Sequence, residues 1–133
     1  MKVLIREDGK NWVALKISHQ GEEEEIYASE ITCTPLSDLI LAIENCCIYS
    51  QNSSFIWDAE GVEYKLEFKL VESGIAISIS FIKAKNIELI FKSTCDQTTF
   101  IMSFWRGLKS YLAGTAALRE LSVIEKYIKA IKS

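Results

Sequence analysis

Between residues 62 and 82, apolar and polar positions alternate with a period of two. Val62, Tyr64, Leu66, Phe68 and Leu70 are interleaved with Glu63, Lys65, Glu67 and Lys69. After Glu72-Ser73-Gly74, Ile75, Ile77, Ile79 and Phe81 alternate with Ala76, Ser78 and Ser80. Successive strand side chains point to opposite faces, so the pattern predicts an antiparallel hairpin with one core-facing side. The other side is balanced in charge and suits no strongly charged ligand.

The same period recurs elsewhere. Val3–Arg6 and Trp12–Ser18 read as strands about a turn at Asp8-Gly9-Lys10-Asn11, with Val13, Leu15 and Ile17 on one face and Trp12, Ala14 and Lys16 on the other. Ile26–Cys33 reads as a third strand, preceded by the polar run Glu22–Glu25. Phe55–Trp57 reads as a short strand, and Ile87, Leu89 and Phe91 mark the last one. Three stretches change to helical spacing. Leu36, Leu39, Ile40, Ile43 and Cys47 follow Thr34-Pro35, where Thr34 is expected to accept a backbone N–H as N-cap and Pro35 to occupy the first helical position. Phe100, Phe104, Leu108, Tyr111 and Leu112, widened by Ile101 and Trp105, follow a predicted Asp96 cap. Gly114 marks a break and Thr115 a new cap, before Leu118, Leu121, Ile124, Ile128 and Ile131. This order predicts an α+β fold: one domain over residues 1–133, with an antiparallel meander of about six to seven strands, one early helix and two C-terminal helices packed on one face.

Composition agrees with a globular chain: 133 residues, 49% hydrophobic and 25% charged. No run approaches the about 18 apolar residues of a membrane span. Met1–Trp12 is broken by Arg6, Glu7, Asp8 and Lys10, so it lacks a signal-peptide core, and a cytoplasmic location is expected. Cys33, Cys46, Cys47 and Cys95 lack zinc-site spacing and read as free, buried or half-buried thiols. Charge is unevenly spread. Residues 1–67 hold 5 Lys/Arg and 13 Asp/Glu (net −8), residues 68–133 hold 10 and 5 (net +5). Strands from both halves sharing one sheet would cancel this in space.

Catalytic and metal-binding patterns are sparse. The single histidine, His19, sits in a polar, glycine-flanked turn, a poor place for a preorganised base. Glu22–Glu25 lacks the staggered, tightly turned ligand loop of a calcium site. Asp58 and Glu60 lie close together in a turn, where paired acids are common without glycosidase chemistry. No glycine-rich phosphate loop or hydrolase motif is present. Arg106, Lys109, Arg119, Lys126, Lys129 and Lys132 form the polar side of amphipathic helices, and at a sequence pI near 5.2 they do not argue for nucleic acid. The chain is therefore expected to have no enzymatic activity, cofactor, metal, nucleic-acid partner or membrane partner.

The segment Phe55-Ile-Trp57-Asp-Ala-Glu60-Gly-Val-Glu63-Tyr64-Lys-Leu66-Glu-Phe68 resembles one found in small bacterial proteins of unassigned activity, some from toxin–immunity loci. Those proteins carry a Trp, then Glu-Pro-Gly-Glu-Tyr, then an alternating strand; here Gly61 and Val62 replace the Pro-Gly. With the helices on either side, the likeness in layout spans residues 34–130. It transfers no catalytic residue and implies a cytoplasmic protein that acts by binding, as an immunity protein does.

An acidic N-terminal half would meet a basic toxin cleft, because enzymes that bind phosphate are basic. The expected contacts are Glu22, Glu23, Glu24, Glu25, Glu30, Asp58 and Glu60, with Trp12 as an aromatic anchor if it lies on an exposed patch and not under a helix. The alternatives are a structural, adaptor or self-associating subunit using a sheet edge or the C-terminal helix pair, and a small-molecule binder with a pocket between sheet and helices.

Overall fold

The computed structural model describes residues 1–133. Its elements run β1 (Lys2–Glu7), β2 (Trp12–His19), β3 (Glu22–Ser29), α1 (Pro35–Cys47), β4 (Ser53–Asp58), β5 (Glu63–Val71), β6 (Gly74–Lys83), β7 (Asn86–Cys95), α2 (Gln97–Leu112), a 3₁₀ helix (Ala116–Leu121) and α3 (Ser122–Lys132). The class is the α+β one expected from the periodicities, with seven antiparallel strands and helices against them. The strands do not share one sheet, however. They form a three-stranded sheet, β1-β2-β3, and a four-stranded sheet, β4-β5-β6-β7. Every strand of the first sheet comes from the acidic half. Residues 1–62 hold 4 Lys/Arg and 11 Asp/Glu (net −7), whereas 97–133 hold 6 and 2 (net +4), so the asymmetry is not cancelled within a common sheet.

The β5–β6 hairpin pairs Leu66 with Ile79, Phe68 with Ile77 and Leu70 with Ile75. Leu66, Phe68, Ile75, Ile77 and Ile79 are fully buried, while Leu70, near the hairpin turn, stays exposed. Gly74 closes the hairpin at φ +146°, and a Cβ there would stand 2.1 Å from the Cys95 carbonyl oxygen. Only glycine fits that approach. Helix α2 then lies across the core. Phe68 meets Phe100 at 4.9 Å between ring centroids and Phe104 at 5.6 Å, and Phe55 closes the cluster from β4 at 5.9 Å. The same helix packs closely on β1. Ser103 Oγ donates to the Met1 carbonyl (3.0 Å), and a Cβ on Gly107 would fall 2.8 Å from the Val3 carbonyl oxygen.

Several boundaries differ from the expected ones. The glutamate run does not precede β3 but forms its first half, because β2 supplies a full antiparallel partner from His19↔Glu22 to Lys16↔Glu25. Thr34 does not cap α1 with its side chain. Its backbone (φ −115°, ψ 72°) is outside the capping geometry, and Oγ1 turns to Asp38 instead. Asp96 caps α2 as expected, accepting from Thr99 N–H at 2.8 Å. Thr115 gives its hydroxyl to the Leu112 carbonyl, so the last helix starts as a 3₁₀ turn and becomes α-helical only at Ser122. Ile131 extends past the core and is exposed.

All four cysteines are free. Burial pushes the Cys46 and Cys95 thiols up to about 11 and Cys47 to about 12. An unfolded thiol ionises near pH 8.5. The buried thiols therefore favour the fold fully below that pH, and the benefit is lost as pH rises towards 11–12. Melting temperature is expected to fall steeply from about pH 8.5 to 11, and less steeply in Cys47→Ala; a flat profile would contradict thiol burial. Gly107→Ala is expected to lower unfolding free energy in urea by about 1–3 kcal/mol, from overpacking against β1. Ser110→Ala, an exposed change one turn on, should fall within about 0.5 kcal/mol of the parent.

Candidate functional site

The two sheets meet where β3 ends and the β4–β5 turn begins. Trp57, fully buried in β4, fixes this junction by donating its indole N–H to the Pro35 carbonyl at the start of α1 (3.0 Å). The next residues turn sharply. Ala59 N–H bonds the Val62 carbonyl (2.9 Å), Asp58 Oδ1 accepts from Glu60 N–H (3.2 Å), and Glu60 and Gly61 take positive φ. On the other side, Glu30 N–H bonds the Asn11 carbonyl (2.8 Å), and the Cys33 thiol donates to the Ser29 carbonyl (3.2 Å).

Between these turns lies an open depression of about 450 Å³, lined by Trp12, Tyr27, Ala59, Val62, Tyr64 and Asp8. Trp12 is half-buried here, packed neither under a helix nor on a bare surface. Ala14 and Tyr27 face each other across β2 and β3, two pairs along from Trp12 and Ser29, which puts both aromatic rings on one sheet face. Tyr64, paired with Trp57 in the second sheet, completes the wall.

The rim is acidic. Arg6 bridges Asp8 (2.8 Å) and Glu25 (2.9 Å), and Tyr27 donates its hydroxyl to the same Glu25 carboxylate. That hydrogen bond from Tyr27, helped by Arg6, holds the Glu25 carboxyl below its ordinary range, and the carboxylate pushes the Tyr27 phenol up. Burial raises the Tyr64 phenol, with the Glu24 charge adding to it.

The structure sorts the expected contact residues into separate places. Trp12 lines the depression, Glu25 is tied to its rim, Glu24 acts on Tyr64, and Asp58 and Glu60 flank Ala59 in the bordering turn. Glu22 and Glu23 stand at the far end of β3 beside His19 and Lys2, with Glu23 paired to Lys16 at 3.5 Å. Glu30 faces α2, where its charge and that of Glu7 raise the Tyr111 phenol behind a larger effect of burial. Glu22, Glu24, Glu30, Asp58 and Glu60 take no ion pair within the chain. Asp8, Tyr27, Val62 and Tyr64 were not among the expected contacts. Tyr27 and Tyr64 lie in predicted strands, yet no local pattern tells that the junction of two separate sheets will bring them together.

The aromatic residues of the α2 apolar stripe divide. Phe100 and Phe104 are fully buried, whereas Trp105 is half-buried with Lys109 Nζ 4.7 Å from its ring centroid. No group of three or more His, Cys, Asp or Glu side chains is arranged to hold a metal ion, and no helix is long and apolar enough to cross a membrane. No protein-family model, curated protein or solved structure matches the chain.

Replacing Tyr27 by Phe removes the hydrogen bond that most stabilises ionised Glu25. The Glu25 carboxyl pKa, followed by carbon-detected NMR titration, is expected to rise in Y27F; no change would show that Arg6 alone holds it down.

Proposed function

We propose that this chain is a non-enzymatic, cytoplasmic protein-binding inhibitor, an immunity protein that covers the active-site cleft of a basic bacterial toxin domain. The observation that carries the reading is the depression of Trp12, Tyr27 and Tyr64, set at the junction of the two sheets, edged by the Arg6-bound Asp8 and Glu25 and by the turn that holds Asp58 and Glu60, neither of which takes an ion pair. Half-buried aromatic side chains provide large contact area at small entropic cost and serve as anchors. Unpaired acids around them speed encounter with a basic partner and reject acidic ones. Among the acids without an ion pair, Asp58 and Glu60 flank Ala59 of the depression, Glu30 follows the end of β3, Glu24 lies within β3 and Glu22 stands at its far end.

A toxin-like reading frame beside the gene, and survival of cells that express both chains, are the expected outcomes of the direct test. Unchanged killing would reject the reading. With that toxin domain, neutralising Glu24, Glu30, Asp58 and Glu60 together to amides should slow association about tenfold at low salt and flatten its salt dependence. Trp12→Ala should act instead on dissociation, speeding it by at least about tenfold.

A second reading, an adaptor or self-associating subunit, draws on β7. This is an edge strand, and beyond a register irregularity opposite Ile79/Ser80 it pairs Ile87 (71% exposed) with Ile82 and Leu89 (56% exposed) with Ser80. Exposed apolar edges invite strand pairing. If it holds, light scattering finds a larger species that Ile87→Lys with Leu89→Lys dissolves; a monomer at all concentrations would exclude self-association.

A further inference from the structure

The walls and rim of the Trp12 depression have a more specific chemistry than a general acidic surface. Three aromatic side chains, Trp12, Tyr27 and Tyr64, share one open cavity of about 450 Å³ with Asp8 at its edge. Aromatic faces carry negative quadrupole density and attract organic cations, most strongly where carboxylates stand nearby. The rim already handles one guanidinium: Arg6 sends Nη1 to Asp8 and Nη2 to Glu25. That internal cation leaves the Arg6–Asp8–Glu25 group one charge negative. Asp58 and Glu60 flank Ala59 at the opposite lip, and neither takes an ion pair.

Among biological cations, guanidinium matches such walls best. It is planar, weakly hydrated and stacks on aromatic faces while its N–H fork reaches carboxylates at the edge. Ammonium is a compact, strongly hydrated charge that loses more on leaving water. From this geometry we infer that the depression is a receptor for an arginine side chain of the partner protein, stacked between Trp12 and the Tyr27/Tyr64 wall and paired with the unbridged carboxylates. The inference rests on the reading of this face as the partner-binding one and adds the residue it grips. Arg106 and Arg119 of a second copy are other guanidinium sources, and an increase in molecular mass in solution would reveal them.

The test uses ¹⁵N-labelled protein and N-acetyl-argininamide as probe, at constant ionic strength. The neutral isostere N-acetyl-citrullinamide and N-acetyl-lysinamide serve as comparators. The chain has three indole N–H signals, from Trp12, Trp57 and Trp105. The Trp12 signal is expected to shift saturably with argininamide while that of buried Trp57 stays still, and citrullinamide should bind about three- to fivefold more weakly. Lysinamide should fall between them. Tyr64→Leu should remove the preference for arginine while the spectrum keeps its dispersion. Equal responses to argininamide and citrullinamide, or no Trp12 response, would overturn the inference on the parent protein alone, with no variant needed. A mass increase that Arg106→Gln or Arg119→Gln reverses would overturn it in favour of self-association. Failure here with toxin rescue intact would leave the inhibitor reading standing; arginine binding without rescue would do the reverse.

Discussion

The structure hangs on Phe68. It is fully buried in β5 and touches Phe55 from β4 and Phe100 and Phe104 from α2, so one side chain joins the four-stranded sheet to the helix that also carries β1. Edge-to-face aromatic pairs of this kind add about 0.5–1.5 kcal/mol each beyond area burial. Through α2, the cluster fixes the first sheet as well, because Gly107 and Ser103 seat the helix directly on the β1 backbone. The position of Trp12 relative to Tyr64 is therefore set by packing some distance away. The junction between sheets is only as rigid as the core that holds both.

That dependence explains how much was legible in the sequence. The hairpin was plain because Leu66, Phe68, Ile77 and Ile79 repeat with the period of a strand and all end up buried. Asp96 was readable as a cap, since capping needs only its own side chain and the Thr99 N–H. The glutamate run was misplaced for a physical reason. Four acids in a row look like a solvated loop, yet Lys16 and Arg6 on neighbouring strands offset Glu23 and Glu25, and the strand can form through them. The division into two sheets was not visible at all. Nothing local in β3 or β4 states whether they hydrogen-bond to each other, and that choice alone creates the depression.

The site was half legible for the same reason. Trp12, Glu25, Asp58 and Glu60 stand out in the sequence by residue type, and the structure places them in or around the depression. Tyr27 and Tyr64 were concealed as ordinary strand aromatics, 37 residues apart, until the sheets met. Electrostatics then separates the acids into two kinds. Glu23, Glu25 and Asp8 are tied down by cations of their own sheet, so their charge is largely spent on holding strands in register. Glu24, Glu30, Asp58 and Glu60 have no such partner and project the remaining field. Function proposed for this chain therefore rests less on the conspicuous glutamate run than on acids scattered through the fold and gathered by it.

The reading of this face as the partner-binding one is tested most directly by hydrogen-exchange mass spectrometry on the chain, free and bound to a toxin domain of the proposed kind. Strong protection is predicted in the segments around Trp12, Glu24 to Glu30 and Asp58 to Tyr64. Protection confined to Lys83–Lys92, with the Trp12 face exchanging as in the free chain, would contradict it.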